Sequence, residues 1–155
     1  MPSDEIEKKL QELGIVLPPP PGPIGAYLPV NLHGSYAWVS GMLPLRDGKL
    51  TSEGLVDSEV AVAKAKEAAR LCALNALSAM KSALGGLDRV ERIVRVGVFV
   101  ASSSSFVSQV DVANGASGLL LEIFGDRGKH ARAAVGVARL PLNAPVEVEM
   151  QVALR

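Results

Sequence analysis

The run RIVRVGVFVAS, residues 92–102, constrains the fold more than any other segment of the chain. It is almost unbroken in β-branched and apolar residues, the pattern of a central strand buried on both faces. It also lies between two helical stretches. Upstream, Asp57-Ser58-Glu59 offers a cap and a first-turn acid to a helix that continues to about Leu84 and stops at Gly85-Gly86. Downstream, the serine run 102–105 ends the strand, and Ser105 can cap a second helix that closes at Gly125. Gly115 and Gly118 within that helix predict an irregular middle. Helices joining consecutive strands imply right-handed crossovers and a sheet with its helices on one face.

Further strands flank this centre. Residues 24–45 read as a strand pair turning at His33-Gly34-Ser35, and LRDGKL (45–50) supplies an Asp-Gly turn. Near the C-terminus, a strand of small residues around Arg132 leads into a last strand in which Val146, Val148, Met150 and Val152 alternate with Glu147, Glu149 and Gln151. The order is strand pair, helix, strand, helix, strand, strand, which gives an α+β sandwich: a mixed sheet with two helices on one face. The other face still carries apolar side chains, and a partner chain is the simplest cover for it. The first helix is apolar nearly all round from Leu71 to Met80, so it too needs a second cover, which another subunit could supply.

Residues 4–13 space Ile6, Leu10 and Leu13 as one face of a short helix that must dock to be stable. LPPPPGP, residues 17–23, is a stiff extended connector. The chain thus divides into residues 1–23, helix and connector, and a single domain over 24–155.

The bulk numbers exclude several functions. Lys plus Arg and Asp plus Glu are sixteen each, leaving no basic surplus for phosphates, and only 4% of residues are aromatic, which argues against a base-stacking platform. No apolar run reaches the roughly 18 residues of a membrane span, and the charged N-terminus lacks a signal core, so the chain reads as cytoplasmic. The single cysteine, Cys72, has no partner for a disulfide or metal site and reads as a small buried hydrophobe. His33 and His130 form no metal cluster and read as solvated loop residues.

The chemistry concentrates in residues 130–155. Ala133, Ala134 and Gly136 leave room around Arg132, and a guanidinium with room can grip a carboxylate through two parallel hydrogen bonds. Glu147 could then hold a water or a polar substrate group.

The ending ARAAVGVARLPLNAPVEVEMQVALR resembles the closing signature of the Rid family, also called the YjgF-like family of reactive-intermediate deaminases. GAYLPVNLHGSYAWVSGMLPL resembles its early Tyr-containing strand and Ser-Gly segment, and FVSQVDVANGASGLLLEIFG its Asn-bearing second helix. The resemblance covers residues 24–155. It implies a chorismate-mutase-like fold, a homotrimer with ligand sites between subunits, and hydrolysis of imines to 2-keto acids and ammonia without metal or cofactor. By position, Arg132 would hold the substrate carboxylate and Glu147 would position or activate water. Tyr27 would line the pocket, the Ser40-Gly41 backbone would approach the ligand, and Asn114 would sit on the cleft wall. Two positions depart from the family: Ala134, which would meet the substrate through its backbone, stands where Cys is common, and Met42 stands where Gln is common, the latter implying a drier pocket and a more apolar substrate.

Arg132 and Glu147 each begin their own strand. With the last strand antiparallel to the rest, they are expected toward opposite ends of one sheet, and hence to meet only across a subunit boundary. Three rival readings remain: binding of a small carboxylate metabolite without turnover, endoribonuclease action, and chorismate mutase action. The balanced charge and the lack of a histidine pair disfavour the second, and the third would need several converging cations where only Arg132 stands out.

Overall fold

The computed structural model describes residues 5–155; Asp4, the first residue of the predicted N-terminal helix, lies outside the described residues. In chain order, helix α1 (Glu5–Glu12) precedes strands β1 (Val30–His33) and β2 (Tyr36–Met42) and the short hairpin β3 (Leu45–Arg46) and β4 (Lys49–Leu50). Helix α2 (Val62–Leu84), strand β5 (Val90–Ala101), helix α3 (Gln109–Phe124) and strands β6 (Ala131–Val137) and β7 (Val146–Leu154) follow.

The five-stranded sheet has the order β1-β2-β7-β5-β6. Only β5 and β6 are parallel; the other neighbours are antiparallel. The crossover from β5 to β6 passes through α3, as parallel pairing requires. Strict alternation in β7 buries Val146, Val148, Met150 and Val152 on the helix side, beside Val96, Val98 and Val100 of β5. Leu77 and Met80 of α2 and Leu119 and Leu120 of α3 are fully buried against that layer. The mixed α+β architecture with both helices on one face is therefore the expected one. The opposite face is open: Tyr36 and Trp38 are each 47% exposed, Val135 44%, and Phe99 is half-buried. Burial of β5 on both faces, expected from its composition, is complete on the helix side alone.

Three expectations need correction. First, α2 starts at Val62, not at Asp57. The residues before it are held by the sheet instead: Val56 bridges Ser102, and its N–H donates to the Ala101 carbonyl at 2.8 Å. Asp57 adopts a positive φ of 79°, which ends any helical path there. Second, α3 is unbroken and begins after Ser108, so neither the Ser105 cap nor the irregular middle is found. Gly115 is there for close packing. A Cβ on it would lie 2.0 Å from the Lys66 carbonyl oxygen of α2. The two helices touch backbone to backbone at that point.

Third, the second cover of α2 is the chain's own N-terminus. Ile6 and Leu10 of α1 are buried in the core, and the Ile6 N–H donates to Asp88 Oδ1 at 3.1 Å. Glu7 pairs with Lys81 of α2 at 2.8 Å, and Glu5 with Arg127 at 3.2 Å. Farther on, the Ser78 hydroxyl donates to the Pro18 carbonyl, fixing the proline connector along α2. None of the described helices is long and apolar enough to cross a membrane.

Candidate functional site

The pairing of β2 with β7 slips between Val39 and Met42, so Ser40 and Gly41 bulge opposite the acidic start of β7. The bulge is tied down from outside: the Ser40 N–H donates to the Pro29 carbonyl at 2.9 Å, and its hydroxyl to the Leu28 carbonyl at 2.6 Å. Glu147 fills the space left by the missing side chain of Gly41. A Cβ there would lie 2.0 Å from Glu147 Oε1, so glycine is what lets the carboxylate lie flat on the β2 backbone.

Burial, followed by the nearby Glu149 charge, pushes the Glu147 carboxyl above the usual carboxylate range. Beneath it, Cys72 is fully buried with its thiol 3.7 Å from the Val146 carbonyl, and burial pushes that thiol up as well. It remains a protonated core residue rather than a nucleophile.

A pocket of about 460 Å³ opens above this carboxylate. It brings together Tyr27, Ser40, Gly41 and Glu147, four of the seven residues expected at the site. The Tyr27 hydroxyl accepts from the Ile24 N–H at 3.3 Å, which holds the ring at the rim. Met42, Leu43 and Leu45 supply an apolar floor, and Pro21 and Ile24 of the N-terminal segment form a wall. Among the lining residues Glu147 is the only carboxylate, and there is no Lys, Arg or His. The pocket can hold a water and an apolar group, and it offers no cation to an anionic one.

Arg132, Asn114 and Ala134 stand elsewhere. Arg132 pairs with Val96 of β5 and Glu147 with Phe99. Those two positions are three residues apart, so their side chains leave opposite faces of the sheet. Arg132 projects to the helix side, where its Nη1 donates to Asn114 Oδ1 at 2.8 Å and to Ser117 Oγ at 3.1 Å. Ala134, next on the same face, packs against the core. The expectation that Arg132 and Glu147 lie at opposite ends is thus incorrect in its reason: they are separated by face and by two strands. They do not share a cleft in one chain.

Arg132 pairs with no carboxylate among the described residues, and both of its partners are neutral. The cluster holds two residues that sequence reasoning did not nominate. His130 Nδ1 lies 2.6 Å from the Gly128 carbonyl and therefore carries the proton; its Nε2, 2.9 Å from Ser117 Oγ, then accepts from that hydroxyl. Ser117 in turn accepts from Arg132. His130, expected as a solvated loop residue, is half-buried and doubly bonded. The available signal was the spacing of Asn114 and Ser117, three apart on one helix face, with His130 two residues before Arg132. No group of three His, Cys, Asp or Glu among the described residues is placed to hold a metal ion.

Comparison with known proteins places this geometry among relatives. Residues 7–154 match the family model described as "YjgF/chorismate mutase-like, putative endoribonuclease". Protein TCP17 of Trypanosoma cruzi is 46% identical over 153 residues, which span 98% of this chain and 96% of that protein. The crystal structure of Atu1372, a protein of unknown function from Agrobacterium tumefaciens, is 46% identical with a TM-score of 0.88, covering 98% of this chain and 93% of the other. A "putative endoribonuclease" from Shewanella oneidensis superposes with a TM-score of 0.92 at 34% identity, covering 96% of this chain and 99% of its own.

Proposed function

This chain belongs to the YjgF/chorismate mutase-like family, and from that membership we propose that it hydrolyses imines of 2-amino acids to 2-keto acids and ammonia, in clefts formed between the subunits of a homotrimer. The carrying observation is the bulge pocket, where Glu147 lies against Gly41 with Tyr27 and Ser40 beside it and no Lys, Arg or His among the residues that line it. A 2-imino acid needs two things there: a water at the imine carbon and a positive partner for its carboxylate. Glu147 serves the first. Arg132 serves the second only if it arrives from a neighbouring subunit, and its place on the edge strand β6 suits that.

The reaction is R–C(=NH2⁺)–COO⁻ plus water to R–CO–COO⁻ plus NH4⁺. Water oxygen bonds to the imine carbon as Glu147 takes a proton from it. Glu147 returns that proton to the nitrogen, and as the carbon–nitrogen bond breaks the hydroxyl proton of the adduct passes to Glu147 and on to the departing ammonia, which leaves as NH4⁺. Burial raises the Glu147 carboxyl above its ordinary range, which makes it a stronger base toward the attacking water than an exposed carboxylate. Fixing both reactants is the larger contribution, because the iminium carbon is already electrophilic. The formal net charge of zero favours a small acid over RNA as the ligand.

The test is ammonia release from 2-aminoacrylate generated in situ. Wild type is expected to accelerate release, and Glu147→Gln and Arg132→Ala to lose it. Tight binding of 2-keto acids without acceleration would replace hydrolysis by ligand binding alone.

A further inference from the structure

The pocket does not end at its apolar floor. A second cavity, of about 530 Å³, shares Pro21, Gly22, Ile24 and Leu45 with the first, so the two meet along the proline connector. Pro18, Pro19 and Pro20 continue its wall. That wall is rigid: the carbonyl of Pro18 is held by Ser78, and α1 anchors what precedes it. The floor is fixed by buried Asn75, whose Nδ2 donates to the carbonyls of Leu43 and Leu45, each at 3.0 Å.

Facing the connector is the turn Pro141–Asn143. Pro141 lines the first cavity and Leu142 the second. Leu142 sits at φ 58° and ψ 15°, a left-handed conformation that branched side chains avoid, yet it is 58% exposed. Asn143 follows at φ 64°, held by Arg139 Nη1 at 2.9 Å and by the Gly54 N–H on its carbonyl, also 2.9 Å. The fold therefore keeps a leucine in an unfavourable backbone conformation without burying it. Strain that folding does not repay is a mark of a functional position.

We infer that the acid taken by this chain carries a bulky apolar side chain, branched aliphatic or aromatic, which lies between the proline connector and Leu142 while its imino carbon sits at Glu147. The inference rests on the hydrolase reading of the first pocket and names its substrate class. The walls of both cavities are mostly apolar, Arg46 and Asp47 of the β3–β4 hairpin being the charged residues on the second, and cavities of several hundred Å³ fit ligands well above three carbons. A three-carbon imine would leave Ile24, Leu45 and Leu142 wet. A leucine- or phenylalanine-derived one would dry them.

Imines generated in situ from alanine, leucine and phenylalanine by an amino acid oxidase supply the test. The rate constant kcat/KM is expected to be roughly tenfold or more higher for the two larger imines than for the small one. Calorimetric Kd values for pyruvate, 4-methyl-2-oxopentanoate and phenylpyruvate should follow the same order, and they read binding without turnover. Leu142→Asn, which suits a left-handed backbone, should keep or raise Tm while bringing the large-to-small ratio toward one. A ratio at or below one in wild type overturns the inference. So does an unchanged ratio in Leu142→Asn, or loss of the oligomer in that variant, which would make Leu142 an interface residue. No turnover of any imine, with the keto acids still bound in the expected order, would sink hydrolysis and leave the substrate class standing. Turnover best on the alanine imine would do the reverse.

Discussion

If Arg132 and Glu147 act in one cleft, two inactive variants should repair each other. The positions opposite them on β5 are Val96 and Phe99. Three residues along the strand is about 10 Å and two strand spacings about 9.6 Å, so the Cα atoms stand roughly 14 Å apart, with side chains leaving opposite faces. No rotamer brings the guanidinium through the sheet. On the proposed reading, each working cleft would take its arginine from one subunit and its carboxylate from the next. Losing two charge-assisted hydrogen bonds at about 1.5 kcal/mol each should lower the rate of Arg132→Ala about a hundredfold. Glu147→Gln should be comparably weak. When the two variants are co-expressed in equal amounts and assemble at random, about a quarter of the clefts receive the intact residue from both sides. The mixed sample should therefore recover about a quarter of wild-type ammonia release, against roughly a hundredth for either parent. A protein carrying both substitutions on one chain should stay inactive in every mixture with either single variant that lacks the missing group. Recovery no greater than the mean of the parents would refute the shared cleft, as would an active monomer in light scattering.

Other substitutions probe the parts separately. Gly41→Ala should leave the fold intact, because the flexible end of Glu147 can swing away, but should abolish ammonia release, since the added Cβ takes the place where the carboxylate lies. Gly115→Ala cannot be absorbed that way, since the obstacle is the Lys66 backbone, and it should lower stability by roughly 1–3 kcal/mol in urea unfolding. Ser117→Ala removes the link between Arg132 and His130 and should raise KM more than it lowers kcat, which steady-state kinetics on the wild-type substrate would read. Glu147→Gln should raise Tm at neutral pH. The folded state holds the Glu147 proton to higher pH than the unfolded chain does, so stability falls as pH rises from the ordinary glutamate value through the raised one. The advantage of the variant should vanish below that window, and the activity of wild type should fall as pH is lowered through it.

What could be read in advance follows from which contacts are local. The alternation from Val146 to Val152 faces one layer whatever the rest of the chain does, and β7 has the expected burial. The turn at Asp47-Gly48 depends only on two residues, and it closes β3 on β4. Arg132 and Glu147 were nominated by a resemblance along the chain, but the face each one takes depends on how β6 and β7 register against β5, which no local pattern encodes. The cover of α2 was hidden for the same reason: Ile6 reaches Asp88, 82 residues away. Gly115 misled because helix propensity treats glycine as a defect, whereas here the missing side chain is the contact itself. Gly41 works the same way against Glu147. In both places the functional or packing partner is a distant atom lying where a Cβ would be, so the residue that matters is visible in sequence only as an absence. A search for sites in such chains should start from glycines within regular elements and ask what occupies their space.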